Sequence, residues 1–389
     1  MMAPTLSSSE QADGVVVPTP DPLVHAAFDQ HGTHFVAATA TDFHVLSCHP
    51  LDTVMRHPGG TPTVTSAQLL TRSQLAVATR RPNGAVEEDR HAIDFWNGMC
   101  KPKDARTNTI TSPCGAVGGF RLRGDHMLVA GEEKARLFDG VHWEKEVLAT
   151  GPNPLGLCAM EEPNGPATLV YALPLPEAGS VQVRRRGRAG SVNVRAHDSG
   201  VACLALSRDG RLLATAGTRG TLVRIFSTAD GTKLQELRRG TDGADIHCIA
   251  FSPDSKWLAV SSDKATVHVF SVDDFNLTSS TPKDDRAGDN LLAAPPAAPS
   301  SPAQATANQR SSRMSFLKGY LPTYFSSKWS FAQFRIPDAC TKCSVAFDKR
   351  HPNTISIVCM DKRFYRCEFD PVKGGDMVPG VYHENFMDL

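Results

Sequence analysis

Two consecutive arginines, Arg238 and Arg239, close a segment whose apolar and polar pattern predicts a β-strand. Successive side chains of a strand point to opposite faces, so the two guanidinium groups cannot serve one pocket together. If this strand lies at a sheet edge with a groove on each side, each arginine can bind its own anionic group. Arginine suits phosphate because its planar guanidinium donates bidentate hydrogen bonds and stays charged. The alternative is a pair of solvated charges at a strand end.

Hydroxyl and imidazole side chains recur at corresponding turns on either side of the arginine pair. They are His197, Thr215, Thr221 and Arg224 before it, and Ser262, Thr266 and His268 after it. Such groups can donate hydrogen bonds to phosphate oxygens, and we expect no carboxylate among them. An enzyme would need a paired acid and base, which this set does not supply. The sequence therefore predicts an anion-binding protein, not an enzyme, without a metal or cofactor.

Local clusters must carry any binding to polyanions, because the chain has no net charge. Its 389 residues include 41 Lys and Arg against 41 Asp and Glu, which argues against nucleic acid as a partner. The sequence shows neither a signal peptide nor an apolar run of the roughly 20 residues that a transmembrane helix requires. Ten cysteines are too dilute for a disulfide framework and indicate buried thiols in a reducing compartment. We therefore expect a soluble cytoplasmic protein.

Seven β-rich repeats organise the chain from residue 21 to residue 375. The two clearest begin at Val201 and Ile246, and weaker copies begin at Val24, Val64, Phe120, Gly156 and Cys343. A period of about 40–45 residues with several strands per repeat is typical of propeller blades. The sequence therefore predicts an all-β fold, a seven-bladed β-propeller with WD40-like repeats, although the usual Gly-His and Trp-Asp signatures are missing.

Three segments fall outside the repeats. Residues 1–20 and 376–389 are predicted to be terminal tails, and residues 276–328 form an insert in the sixth blade whose first part is expected to be disordered. Its second part places aromatic and aliphatic side chains beside cations, which suits either a membrane interface or packing against the propeller's side. The residues predicted to enter the membrane are Phe316, Leu317, Tyr320, Leu321, Tyr324 and Phe325.

The chain resembles the PROPPIN family, the phosphoinositide-binding seven-bladed propellers of autophagy. The resemblance is carried by the stretches 215–226, 237–240 and 257–270, and it covers roughly residues 20–370. The family motif is most often Phe-Arg-Arg-Gly, and this chain has the Leu-Arg-Arg-Gly variant at 237–240, ending at Gly240. A further likeness follows the insert, in the stretch 321–330.

The resemblance implies two headgroup sites, for phosphatidylinositol 3-phosphate and phosphatidylinositol 3,5-bisphosphate. The first would use His197, Thr215, Thr221, Arg224 and Arg238, and the second Arg239, Ser262, Thr266 and His268. The protein would then act on preautophagosomal, endosomal and vacuolar membranes during autophagosome formation, with an autophagy lipid-transfer protein or another autophagy factor as partner. The alternative is a propeller scaffold that binds protein peptides and has lost lipid binding.

Two departures from the family pattern lie close to the predicted sites. Gly217 stands where the family usually has serine, which removes a hydroxyl donor from the first site. Ala265 replaces a turn glycine, and its Cβ would strain a left-handed turn. We therefore expect the first site to be weaker than the second.

Overall fold

Seven mainly antiparallel sheets follow one another along the chain, so the computed structural model is the seven-bladed β-propeller that the repeats predict. The structure describes residues 21–57, 63–82, 90–98, 106–112, 115–140, 144–165, 168–188, 190–275, 327–337 and 342–389. The predicted tail 1–20 and most of the predicted insert lie outside these ranges. Among the described residues, no helix is long and apolar enough to cross a lipid bilayer.

Each of the first four blades is one contiguous, four-stranded stretch of chain. Blade 1 contains β1 (Leu23–Phe28), β2 (His34–Thr39), β3 (Phe43–Cys48) and β4 (Leu51–His57). Blade 2 contains β5 (Thr63–Leu69), β6 (Gln74–Arg81), β7 (Arg90–Asn97) and β8 (Arg106–Thr111). Blade 3 contains β9 (Gly119–Arg123), β10 (His126–Ala130), β11 (Lys134–Asp139) and β12 (Glu144–Ala149). Blade 4 contains β13 (Ala159–Glu161), β14 (Val170–Pro174), β15 (Ser180–Arg185) and β16 (Val192–Arg195).

Blades 5 and 6 include strands from more distant parts of the chain, whereas blade 7 is four-stranded like the first four blades. Blade 5 contains β17 (Val201–Leu206), β18 (Leu212–Gly217), β19 (Leu222–Ser227), β20 (Lys233–Arg238) and β24 (Lys328–Trp329). Blade 6 contains β21 (Ile246–Phe251), β22 (Trp257–Ser262), β23 (Thr266–Ser271), β25 (Ala332–Arg335) and β29 (Gly375–Asp376). Blade 7 contains β26 (Cys343–Asp348), β27 (His351–Cys359), β28 (Phe364–Glu368) and β30 (Val378–His383), followed by a 3-10 helix at Phe386–Asp388.

The position of a strand within its blade explains its sequence pattern. All six residues of the second strand of blade 5, β18, are buried, because neighbouring blades cover both of its faces. Such a strand reads as a continuous apolar run. The outermost strand of blade 1, β4, instead alternates between partly buried and exposed residues. The inner apolar runs therefore made the repeats visible, whereas the outer strands left a weaker signal.

Side-chain packing closes the ring between blade 7 and blade 1. The ring of Phe386 is fully buried, 5.1 Å from Phe35, which in turn stacks on Phe364 at 5.7 Å. The Thr53 hydroxyl of blade 1 also donates to the Leu389 carbonyl at 3.0 Å. Blades 1 and 7 thus meet through an aromatic cluster. Neither blade contains a strand from the other's part of the chain.

Two predicted boundaries require correction. Residues 376–389 are not a tail, because β30 pairs with β28 and Phe386 fills the closure between the blades. The insert also ends earlier than residue 328, because Lys328 and Trp329 pair with Leu237 and Arg238 of blade 5. The two errors have different physical causes. The short strand β24 pairs with a distant part of the chain, whereas β30 is a largely exposed outer strand whose proline and glycine hide the apolar pattern of a strand.

Replacing Phe386 with alanine should lower the free energy of unfolding by about 3–5 kcal/mol, because a buried ring is removed from the closure of the propeller. Urea unfolding followed by tryptophan fluorescence measures the change. Val372→Ala, in an 85 % exposed residue of blade 7, is the control and should change stability by less than about 0.5 kcal/mol. Equal unfolding midpoints for the two variants would contradict this role for Phe386.

Candidate functional site

A row of polar side chains crosses blade 5 at one level of its sheet. Thr215 of β18 pairs with Arg224 of β19, and Arg224 pairs with Glu236 of β20. His197, from the loop before β17, places Nε2 at 3.0 Å from Thr215 Oγ1. Residues directly opposite each other on neighbouring strands share a face of the sheet. The strand register therefore brings together three of the residues predicted for the first site.

Two of these residues, His197 and Arg224, border a small cavity of about 80 Å³ beside the turn between β18 and β19. Its lining residues are His197, Asp198, Ser199, Gly217, Arg219, Gly220, Thr221, Leu222 and Arg224. Thr215 does not line it, since its side chain is fully buried behind His197. The hydroxyl of Thr215 therefore orients the imidazole of His197. Although it lies beside a histidine, it does not reach the cavity and cannot act as a nucleophile on a substrate there.

A carboxylate stands in the first site, contrary to the expectation from the sequence. Arg224 Nε donates to Glu236 Oε2 at 2.9 Å, and Arg224 Nη1 donates to the Ala196 carbonyl at 2.7 Å. Burial raises the pKa of Glu236, but hydrogen bonds from Arg224 and Ser327 outweigh it and hold the pKa below its usual value. Glu236 is therefore ionised and holds the Arg224 guanidinium beside the cavity. An anion that binds there meets an arginine that is already partly neutralised.

Arg238 lies on the same face of β20 as Glu236, two positions further along the strand. Its Nη2 is 3.5 Å from Ser327 Oγ, and that hydroxyl donates to Glu236 Oε1 at 3.0 Å. Ser327 immediately precedes β24, which runs parallel to β20 and covers its edge. The end of β20 is therefore not a sheet edge, which was the condition considered for the arginine pair. Arg238 faces the first site beneath the chain segment that returns to the blade.

Arg239 turns away from Arg238, as the alternation of strand side chains predicts. Its Nε donates to the Gly220 carbonyl at 3.0 Å, and its guanidinium also donates to the Asp242 carbonyl. Only 7 % of its surface is exposed. Burial lowers the pKa of Arg239, whereas the nearby Asp263 and Asp242 raise it. The two arginines thus have different partners and serve different sides of the strand end.

The remaining predicted residues lie on blade 6, beside Arg239. Ser262 ends β22 and Thr266 begins β23, so the two flank one tight turn. His268 is buried on β23, and its Nδ1 has no hydrogen-bond partner among the residues the structure describes. Burial, and then the charge of Arg239, lower the pKa of His268 to about 4. The positive charge of Arg239 therefore disfavours protonation of this imidazole.

The two sites share an electrostatic arrangement in which a neutral imidazole lies near an arginine. Burial, followed by the charge of Arg224, also lowers the pKa of His197 to about 4. At pH 7 each site therefore has a permanently charged arginine near a neutral ring that can donate one hydrogen bond. A phosphate group would favour the charged form of either imidazole, because opposite charge raises the pKa of a histidine. This arrangement suits anion binding.

A second, more open cavity of about 450 Å³ adjoins the first across the Gly220 turn. Its lining residues are Thr218, Arg219, Thr221, Gly243, Ala244, Asp245 and Asp263. Thr221 and Arg219 line both cavities. Arg219 was not among the predicted site residues, and neither were Asp198 and Ser199 of the first cavity. Ser199 could have been found from its place in the repeat, two residues after His197.

Membrane entry and headgroup contact stay predictions, whereas the structure tests the predicted strain at Ala265. The residues predicted to enter a membrane, Phe316, Leu317, Tyr320, Leu321, Tyr324 and Phe325, lie outside the described ranges. Which predicted residues contact a headgroup is likewise untested. The turn at Ala265 is answered: its φ is 52°, in the left-handed region that favours glycine. The strain expected from its Cβ is therefore present, in the turn between Ser262 and Thr266.

Comparison with known proteins points to one family. The family model PROPPIN matches residues 107–300. Autophagy-related protein 18e of Arabidopsis thaliana is 32% identical, in an alignment that covers 99% of this chain and 94% of that protein. Autophagy-related protein 18 of Yarrowia lipolytica is also 32% identical, over 67% of this chain and 72% of that protein. The first of these similarities extends over the whole propeller.

Solved structures show the same fold. Kluyveromyces lactis Hsv2 superposes with a TM-score of 0.65 at 22% identity, over 94% of this chain and 99% of that one. The KlAtg21 chain, solved in complex with the coiled-coil of AgAtg16, gives a TM-score of 0.68 at 17% identity over the same fractions. Identities this low support the seven-bladed architecture alone.

Ala265→Gly should raise the free energy of unfolding by about 1 kcal/mol, because glycine adopts a positive φ without the clash of a Cβ. The matched substitution in blade 5, Gly220→Ala, should lower it by at least about 2 kcal/mol. Gly220 has a φ of 63°, and an added Cβ would lie 1.7 Å from the Ala244 carbonyl oxygen. Urea unfolding midpoints measure both changes. Shifts of the same sign in the two variants would contradict this account of the turns.

Proposed function

The chain belongs to the PROPPIN family, and from this membership we propose that it binds 3-phosphorylated phosphoinositides on membranes during autophagosome formation. The named relatives are autophagy-related proteins, so the family assigns the chain to autophagy. The proposed lipids are phosphatidylinositol 3-phosphate and phosphatidylinositol 3,5-bisphosphate. The proposed location is the cytoplasm, with peripheral attachment to preautophagosomal and endosomal or vacuolar membranes.

The observation that supports this proposal most strongly is the separation of the two arginines. Arg238 lies with Ser327 and Glu236 on one side of the strand end, and Arg239 lies with the Gly220 and Asp242 carbonyls on the other. Each side also has hydroxyl groups and a buried imidazole within the same blade or the next. Two donor sets within one molecular edge suit two separate phosphate-bearing headgroups.

Each site alone is expected to bind weakly. A hydrogen bond to a charged group contributes about 1.5–3 kcal/mol, and desolvation and ordering offset much of the total. In the first site Glu236 already pairs with Arg224, which reduces the gain from an added anion. Two sites on one edge nevertheless act together on a membrane that carries several headgroups. Retention would therefore depend strongly on lipid density.

The insert would add an apolar contribution to this binding. Membrane entry by its second half rests on the sequence pattern of aromatic residues beside cations. The structure shows where the two ends of the insert join the propeller. The chain leaves β23 near Asp273 and returns at Ser327 and Lys328, where Lys328 forms an ion pair with Asp273. Ser327 lies next to Arg238, so the insert returns to the blade beside the first site.

The remaining blades would recruit autophagy factors. The solved KlAtg21 complex contains the coiled-coil of AgAtg16, so we propose a coiled-coil or lipid-transfer factor of autophagy as a partner of this chain as well. A second candidate function is a protein scaffold without lipid binding. The specific observation in its favour is the ion pair between Glu236 and Arg224, which competes with any anion for that arginine.

The Arg238→Thr/Arg239→Thr variant should lose binding to phosphatidylcholine vesicles that contain phosphatidylinositol 3-phosphate, because each site loses an arginine that would bind phosphate. Vesicle flotation, with and without the phosphorylated lipid, measures this loss. The charge-matched control is Arg195→Thr/Arg211→Thr, whose side chains are 70% and 56% exposed and belong to neither site. Lipid-dependent flotation that survives in the first variant would exclude the two-site mechanism, and its absence in the wild type would favour the scaffold.

Deleting residues 310–325 should weaken retention on the same vesicles several-fold while the unfolding midpoint stays unchanged. The deletion stops before Ser327 because that residue and β24 belong to blade 5. The control replaces residues 310–325 with a Gly-Ser linker of equal length, which keeps the spacing but removes the aromatic residues. Equal retention of wild type, deletion and linker variants would remove membrane insertion from the proposal.

A further inference from the structure

The hydroxyl of Ser199 occupies the space that a side chain at position 217 would need. A Cβ added to Gly217 would lie 2.8 Å from Ser199 Oγ and 2.9 Å from His197 Cγ. Ser199 is partly exposed, and it lines the 80 Å³ cavity together with Thr221 and Arg224. Its hydroxyl has no hydrogen-bond partner among the described residues. A donor is therefore available at the mouth of the first site.

Blade 6 shows the opposite arrangement at the same two positions. The backbone register aligns the blades, because Gly217 pairs with Val201 just as Ser262 pairs with Ile246. The loop contacts align as well, since the Thr218 amide donates to the Gly200 carbonyl and the Asp263 amide donates to the Asp245 carbonyl.

By this alignment, Ser199 of blade 5 corresponds to Ala244 of blade 6. Blade 5 thus has serine in the loop and glycine at the strand end, whereas blade 6 has alanine in the loop and Ser262 at the strand end. Each blade therefore carries one serine hydroxyl at this pair of neighbouring positions, but from a different element of the repeat.

We propose that Ser199 is a binding residue of the first site and supplies the headgroup hydrogen bond that Gly217 cannot. The inference rests on the proposed function and identifies a group that recognises the phosphate. The Ser199 hydroxyl donates to a phosphate oxygen held by Arg224 and Thr221. The absence of a side chain at Gly217 is then the condition that leaves room for Ser199. The first site consequently has as many hydroxyl donors as it would have with serine at position 217.

The test moves the hydroxyl from one position to the other. Binding is measured by flotation on phosphatidylcholine vesicles that contain phosphatidylinositol 3-phosphate, with unphosphorylated phosphatidylinositol as a parallel arm. All proteins carry Thr266→Ala, which weakens the second site. Ser199→Ala should reduce binding at least about ten-fold, the loss of one hydrogen bond to a charged group. Ser199→Ala/Gly217→Ser should recover most of that loss, because removing Ser199 Oγ relieves the closest contact of the new side chain and leaves only the His197 ring, with Cγ at 2.9 Å, to shift.

Two controls separate binding from folding. Ser191→Ala removes an exposed serine hydroxyl of blade 4 and should leave flotation unchanged. Urea midpoints of all variants should agree, so that a difference in flotation reports the site. Recovery by the moved hydroxyl is a result that a purely structural role of Ser199 would not produce.

The possible outcomes distinguish the assignment of Ser199 from the proposed two-site function on which it rests. Unchanged binding by Ser199→Ala, or a loss that Gly217→Ser does not recover, overturns the assignment of Ser199 and leaves the two-site function standing. Equal flotation on phosphorylated and unphosphorylated lipid by the Thr266→Ala parent, together with the same result for the wild-type chain, overturns both. A loss in Ser199→Ala that the second substitution recovers, confined to the phosphorylated lipid, supports the assignment.

Discussion

The ionised carboxylate of Glu236 connects the two arginines of the first site. It pairs with Arg224, it accepts a hydrogen bond from Ser327, and through Ser327 it reaches Arg238. Without this partner, two guanidinium groups would lie close together at the end of one blade and repel each other. Glu236 therefore stabilises the free protein, and it reduces the affinity that the arginines would otherwise have for an anion. If the site binds a headgroup as proposed, competition from Glu236 for Arg224 makes that binding weak and reversible.

The contact between Ser327 and Glu236 also joins the site to the long insert. The chain leaves blade 6 after β23, returns to blade 5 at β24, and then re-enters blade 6 at β25. Parallel pairing of β24 with β20 thus fixes the end of the insert beside Arg238. A membrane contact made by the insert and a headgroup contact made by Arg238 would consequently occur at one edge of the propeller. This geometry favours simultaneous binding.

The two sites use the same repeat in different ways. His197 precedes its blade in a loop, whereas His268 lies on a strand, yet burial and a nearby arginine lower the pKa of both to about 4. The serine hydroxyl likewise comes from a loop at Ser199 and from a strand end at Ser262. A propeller blade therefore presents similar chemistry from more than one element, because loop and strand end meet at the same turn.

By itself the sequence determined the fold class and the separation of Arg238 from Arg239. These features follow from local patterns, namely the period of the blades and the alternation of side chains along a strand. Only the tertiary structure showed that Glu236 stands in the first site, that β24 covers β20, that Ser199 fills the space beside Gly217, and that Phe386 closes the ring. Each of these depends on strand register or on contacts between residues far apart in the chain, and such contacts leave no periodic signal in the sequence.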